Sequence, residues 1–504
     1  MKGGKRSFLV FLGMWFVASA GLAEAGFIEI IGLDPRSAAM GGAATAVADT
    51  PSAWYYNPAG LAQIRGSWQE LGLSQMAFFS LRERDSESGG WVNGTTPTSY
   101  NVHLPGCDNY GLKNVTIGLG GGATFGGGSY WPQNRGGFRY TGYESETLLN
   151  TVAPTVAYRV NDWLMIGAGV NILALNKMVN FSKLGDGFFS DAVRSQVRGL
   201  LGLPPDQRDP VVDGLLDTLG VNSYNGRDDG KFELWTDEEF PTGMQPTNDM
   251  DIDFTHLTYN LGILVKPTDG LRIGVTYREA LYFQYEGQAQ VVLEEDALGV
   301  VNSNPIMLAL NGGPVQNEST RFRLGVCMPR QVVAGVSYLF EDGFLLAADF
   351  EWTNWSSAWD TQVTYLEGKG LLGLTKIVSQ RDFKDTYTAR VGAEVPLWKG
   401  LRFQAGYWWD PSPVPNHTLD AGTFDSDRHT FSFGLGYYGL FNGVIDLSSV
   451  FQYIYFTERQ IKAYENVNLG GLKKFVYSGP AYNDFDIEFG GSVYNVGLVV
   501  GVHY

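Results

Sequence analysis

The chain has 504 residues and a formal net charge of −17, with 36 Lys and Arg against 53 Asp and Glu, which excludes the basic footprint that nucleic-acid binding needs. Two cysteines, Cys107 and Cys327, are too few for a disulfide framework. A mean hydropathy of −0.10 excludes a helical bundle in lipid but allows a barrel, whose inward residues are polar; 14% aromatics and 65 glycines favour strands with girdles and tight corners.

At the front, Lys2, Lys5 and Arg6 precede an apolar run from Phe8 to Ala20, and Ala23-Glu24-Ala25 supplies a small-residue cleavage site. Residues 1–25 are therefore expected to be a signal peptide, removed after Ala25. No interior segment offers the roughly 18 consecutive apolar residues of a membrane helix. Export leaves three destinations: secreted, periplasmic or outer membrane.

Residues 26–65 follow a different rule from the rest. Ser37, Ala38, Ala39, Gly41, Gly42, Ala43, Ala44, Ala46 and Ala48 make the middle small enough for a confined space. Pro35, Pro51 and Pro58 cut it into short pieces, and Pro58 biases Asn57 away from helical angles. A compact small-residue segment ahead of a long β pattern predicts a plug inside a closed sheet.

From residue 66 onward apolar and polar residues alternate in strand after strand. Val152, Pro154, Val156 and Tyr158 share a face and continue, past a turn at Asn161-Asp162, as Leu164, Ile166, Ala168 and Val170. Leu257 to Val265 and Leu271 to Tyr277 repeat the pattern around Lys266 to Gly270. Further short turns fall at Glu341-Asp342-Gly343, Trp398-Lys399-Gly400 and Phe441-Asn442-Gly443. Period two, with short turns on one side and long loops on the other, predicts an all-β transmembrane antiparallel barrel spanning residues 66–504. Periplasmic ends demand an even strand number, so Thr98 to Leu104 is read as a strand and the count becomes about fourteen. On this topology Cys107 falls in a periplasmic turn and Cys327 toward the outer end of a strand. A soluble β-sandwich also alternates; the export signal and the strand lengths decide against it.

The ordered motifs carry a resemblance. Gly41-Gly42-Ala43-Ala44, Ala48-Asp49 and Tyr56-Asn57-Pro58-Ala59-Gly60-Leu61 resemble the hatch of the FadL/TodX outer-membrane transporters of long-chain fatty acids and aromatic hydrocarbons. Pro154 to Asp162, Gly274-Val275-Thr276-Tyr277-Arg278, Trp352 to Ser356 and Asp427-Arg428-His429 resemble later blocks of that family, in order. Tyr504 stands where the family usually ends in Phe, and the insert 183–250 is long. The resemblance implies fourteen strands, the outer membrane of a Gram-negative bacterium, and surroundings of lipid and lipopolysaccharide. It also implies a C-terminal strand read by the barrel assembly machinery, and a monomer.

Candidate site residues follow. Phe27, Asn57, Pro58 and Ala59 are assigned to the hatch, Phe27 as a contact for substrate. Gly120, Gly121 and Gly122 are assigned to a lateral opening, since the resemblance places a wall kink there; room for the plug explains them equally well. In the extracellular insert, Val197, Leu200, Leu201, Leu215, Leu216 and Leu219 fall at helical spacing and form either an apolar entry groove or mutual packing. Arg159, Arg272, Arg278, Asp349, Glu351, Arg390, Glu394 and Arg402 face the lumen, where charge stays paired or hydrated. They are read as salt bridges bracing wall and plug, or as an arginine for a carboxylate ligand.

No metal or cofactor is expected: the five histidines show no metal-ligand spacing, and neither a nucleophile elbow nor a Walker loop occurs. The function expected is passive passage of hydrophobic small molecules by plug movement and lateral exit. An open porin for polar solutes, or a barrel lipid hydrolase, is the alternative.

Overall fold

The computed structural model describes residues 28–29, 33–79, 81–84, 90–95, 99–132, 143–184, 230–236, 257–293, 302–303, 314, 316–368, 375–419, 425–462 and 486–504. Its architecture is a fourteen-stranded antiparallel β-barrel. Its strands, some of them in two pieces, begin with β1 (Ser67–Phe79), β2 (Ser99–His103 and Gly106–Asp108), β3 (Val115–Tyr130), β4 (Glu144–Arg159) and β5 (Leu164–Leu184). Next come β6 (Gly230–Thr236 and Leu257–Val265), β7 (Leu271–Arg278 and Leu281–Leu293) and β8 (Glu318–Met328 and Gln331–Leu339). Then β9 (Leu345–Thr353 and Thr361–Leu366), β10 (Lys376–Gln380 and Thr386–Trp398) and β11 (Leu401–Asp410) follow. Finally β12 (Arg428–Gly439), β13 (Ile445–Lys462) and β14 (Asp486–His503) complete the wall. The ring closes where β1 pairs with β14, from Trp68 opposite His503 to Phe79 opposite Val493. Below that, Ser67 and Tyr504 exchange backbone bonds at 2.9 and 3.2 Å.

The alternation has the sense that lipid dictates. Ile273 on β7 faces Val336 on β8 across the ladder, and both are exposed on the outside, at 42% and 45%. Arg272 pairs in register with Ser337, which points inward and is buried. A charge outward at mid-membrane would cost roughly 2–4 kcal/mol, so the polar set turns to the lumen.

The outward face changes character along β7. Ile273, Val275 and Tyr277 give way, beyond Tyr282, to Gln284, Glu286, Gln288 and Gln290. The switch coincides with interruptions in β7 to β10 at one level, where Arg278, Gln331, Thr353 and Thr386 lie in register. The upper pieces of these strands therefore stand above the hydrocarbon.

The turn expected at Cys107 is a short strand instead: Cys107 pairs with Trp68 on one side and Gly118 on the other. Pro105 has no N–H and breaks β2 at that point, and pairing resumes after it. Both cysteines are free and buried.

Inside the ring lies the chain's own beginning. Residues 33–64 fold into α1 (Pro35–Ala39), α2 (Ala53–Tyr56) and a 3-10 turn, Pro58–Gln63. Asp34 caps α1, accepting from the amides of Arg36 and Ser37 at 3.1 and 3.2 Å, and Pro35 fills the first turn, where its missing N–H costs nothing. Gly41 and Gly42 end the helix with φ of 65° and 77°, which side chains with a Cβ rarely adopt.

The wall's glycines are where this segment touches it. A Cβ on Gly262 would lie 2.1 Å from Asn57 Oδ1, one on Gly167 2.4 Å from the Ala59 nitrogen, and one on Gly392 2.2 Å from the Met40 carbonyl oxygen. Gly274 and Gly335 meet Thr45 in the same way, and Gly406 meets Gly41. Small residues on the plug and glycines on the wall are two halves of one fit.

Candidate functional site

Asn57 holds the plug's turn to itself and to the wall. It is fully buried; its amide donates to the carbonyls of Thr45 at 2.9 Å and Ile263 at 3.0 Å. Its Oδ1 accepts from the Ala59 amide at 3.1 Å and starts the Pro58–Gln63 turn. Asp349 on β9 accepts from the amides of Ala44 and Thr45 at 3.0 and 2.9 Å. Arg159 reaches the Ala62 carbonyl at 2.9 Å.

Three charges occur between residues 33 and 64: Asp34, Arg36 and Asp49. Arg36 pairs with Asp49 at 2.5 Å and with Glu394 on β10 at 2.7 Å. Arg272, on β7, meets Asp49 at 3.2 Å, and Arg402 meets Glu394 at 2.9 Å. Burial pushes the Asp49 carboxyl up, but Arg36 and Arg272 outweigh it and hold it below the usual carboxylate range. Elsewhere on the wall, Arg390 pairs with Glu351 at 2.8 Å and lies 4.2 Å over the Trp408 ring. Arg36 and Asp49 were missed by sequence reasoning. Their signal was one base and two acids in a segment otherwise free of charge.

The plug's other end is aromatic. Trp54 packs with Tyr55 edge to face at 5.6 Å, and Arg278 lies 4.2 Å over the Tyr55 ring. These two rings floor a narrow cavity, open on one side, walled by Phe125, Leu149, Leu173, Leu281, Met328 and Pro329, with Thr124, Thr151, Asn171, Thr258, Arg278 and Glu279 as its polar members. A mostly apolar lining with a few convergent polar groups is the usual form of a small-molecule site.

Beside the cavity the ladder between β2 and β3 is interrupted among the described residues. β3 pairs with β2 up to Leu119 and with the short stretch Ile28–Glu29 from Phe125. Between them, residues 120–124 have no ladder partner on that edge, and the Leu104 amide lies 3.5 Å from the Gly121 oxygen. On the other edge β4 pairs continuously except for a bulge at Thr124. Within this stretch Gly120 and Gly122 face inward: a Cβ on Gly120 would enter the Trp54 ring at 2.1 Å, and one on Gly122 would meet Leu33 at 3.1 Å. Phe27 and the insert residues Val197, Leu200, Leu201, Leu215, Leu216 and Leu219 lie outside the described residues.

Residues 15–500 match the family model described as outer membrane protein transport protein (OMPP1/FadL/TodX). The chain belongs to that family. The family's members are outer-membrane channels for hydrophobic compounds of Gram-negative bacteria, not enzymes. Among curated relatives, the long-chain fatty acid transport protein of Escherichia coli is 25% identical over 203 residues, 40% of this chain and 43% of that one. An outer membrane protein of Neisseria meningitidis is 26% identical over 195 residues, 37% of this chain and 40% of that one. The matched stretch thus spans about two fifths of these relatives' length. Among solved structures, a Pseudomonas aeruginosa FadL homologue superimposes with a TM-score of 0.69 at 17% identity, over 95% of this chain and 100% of that one. The Pseudomonas putida toluene transporter TodX gives 0.65 at 15%, over 94% and 99%. At such identities the likeness establishes the fold.

Proposed function

We propose that this barrel passes hydrophobic small molecules, of the kind of long-chain fatty acids or aromatic hydrocarbons, passively across the outer membrane. A molecule entering from outside rests in the apolar cavity above Trp54 and Tyr55, shifts the plug's aromatic end, and leaves sideways between β2 and β3. An aqueous pore would offer a greasy molecule no stabilisation, whereas a lined cavity beside a wall opening shortens its exposure to water. The observation that carries the reading is adjacency. Thr124 and Phe125 line the cavity, and the unladdered stretch 120–124 begins there.

The test is to close the opening. A Leu104→Cys/Gly121→Cys pair, oxidised across the gap, is expected to abolish uptake of a hydrophobic substrate by cells, with reductant restoring it. Gly121→Trp, which obstructs the same place without a disulfide, is expected to act alike. Normal uptake through barrels shown to be folded and cross-linked refutes lateral exit. Uptake of polar solutes instead of greasy ones would make the protein a porin.

A further inference from the structure

Beneath the plug, on the side of the short turns, the lumen wall gathers cations. The β6–β7 ladder ends with Val265 opposite Ile273, and Lys266 and Arg272 stand next, across the mouth of the turn. Leu264 is buried and Ile273 exposed, so alternation turns both cations to the lumen. Arg159, the last residue of β4, pairs with Met165 on β5, and the Lys266 amide reaches the Trp163 carbonyl just before β5 at 2.7 Å. Like charges set opposite one another in a ladder are destabilising.

The acids at this level do not balance them. Asp49 gives one oxygen to Arg36 and the other to Arg272, and Asp162 and Asp269 are exposed on the turns. The Lys266 ammonium has no hydrogen bond or ion pair among the described residues. The Nε atoms of Arg159 and Arg272 are buried without a partner, a costly state for a donor. Burial, then Arg272 and Arg159, push the Lys266 amine down to about 8 against the pull of Asp49. We propose that Lys266, Arg159 and Arg272 form a site for a small oxyanion, of carboxylate or phosphate type, entering from the periplasm. The donors suit that shape, since guanidinium N–H groups are directional and match an oxyanion better than a spherical halide. Their lumen-facing placement favours a soluble anion over the head group of a surrounding lipid. Arg159 already holds the Ala62 carbonyl at 2.9 Å, and Arg272 the Val47 carbonyl at 3.3 Å. An anion between them joins the wall's grip on two stretches of the plug, so its binding stabilises the plugged barrel. The site does not depend on the route by which substrate leaves.

Inorganic phosphate is titrated calorimetrically into the full-length protein in nanodiscs, at neutral pH and fixed ionic strength in a chloride background, with acetate as a second oxyanion. Saturable heat is expected with wild type and with Lys266→Arg. Losing one charge-assisted hydrogen bond predicts binding about tenfold to a hundredfold weaker in Lys266→Met. In planar bilayers, phosphate at ten times its Kd is expected to lower the open fraction about tenfold in wild type and by no more than about twofold in Lys266→Met. Heat-modifiable gel mobility identifies folded barrels in each variant. Equal phosphate affinity in wild type and Lys266→Met, or no saturable binding of either oxyanion, overturns the site. Binding that leaves the open fraction unchanged overturns its grip on the plug.

Discussion

Replacing Glu394 tests whether the ionic contacts hold the plug in place. Its carboxylate is fully buried and receives Arg36 Nε at 2.7 Å, Arg402 at 2.9 Å and Gln404 at 3.0 Å. Glu394→Gln keeps the shape and removes the charge, so Arg36 loses one of its two carboxylates and keeps Asp49 at 2.5 Å. Breaking a buried pair by removing one partner costs about 3–5 kcal/mol. With Asp49 still present the lower end applies, about 3 kcal/mol, which is about a hundredfold in the docking equilibrium. Single-channel recording in planar bilayers is expected to show open dwell time raised by about that factor, with barrel assembly unchanged. Arg36→Met/Glu394→Met removes both members of the pair between plug and wall, leaving Asp49 with Arg272 and only the partly exposed Arg402 without its carboxylate, and is expected to lie nearer wild type than the single substitution. Conductance of Glu394→Gln indistinguishable from wild type, or a double variant leakier than the single, refutes the assignment.

Gly262→Ala places a methyl 2.1 Å from Asn57 Oδ1 and is expected to lower the yield of plugged barrels, read as raised sensitivity of cells to large polar antibiotics. Asp49 gives a pH dependence: its carboxyl is held below the usual range, so its contribution is complete above that range and is lost as pH falls through the lowered value. Channel opening is therefore expected to rise only in strong acid, and Asp49→Asn is expected to be open already at neutral pH. A nitroxide at Ile273 is expected to collide with oxygen in hydrocarbon and one at Gln284 with a water-soluble nickel chelate, because the outward face of β7 changes between them.

The wall was legible because lipid outside and a polar lumen face inside impose the same period of two on every strand, and short turns fix direction. That logic read Thr98 to Leu104 as a strand from parity and alternation, and the wall has a strand at Ser99–His103. It failed beside it, at Cys107, because a proline break and a turn look alike until the neighbouring strands are known. The plug was legible as small, but not which small residue meets which glycine, since that pairing joins positions hundreds of residues apart, as with Met40 and Gly392. Lumen charges could be placed on a face but not paired. Arg272 meets the plug's Asp49 rather than a wall acid, and Asp349 accepts backbone amides of the plug rather than a cation's hydrogens. Asn171 gave no signal at all, because an inward polar residue on a barrel strand is ordinary until its partners can be counted.

The plug is held differently at its two ends, and this decides what a ligand can move. One end rests on ion pairs and on backbone seated against glycines; the other, Trp54 and Tyr55, is packed by ring contacts, by the Trp54 ring seated against Gly120, and by carbonyl bonds from Asn260 at 2.7 Å and from Arg278 at 3.0 Å. Between them runs a second, narrow cleft lined by plug residues from Arg36 to Tyr56. A ligand in the cavity touches the second end, so it can displace α2 without breaking the ionic end. Trp54→Ala should then ease passage of hydrophobic substrate while the resting channel stays closed to small ions, the reverse of Glu394→Gln. If Trp54→Ala leaks ions as readily as Glu394→Gln, the plug moves as one body and the division is wrong.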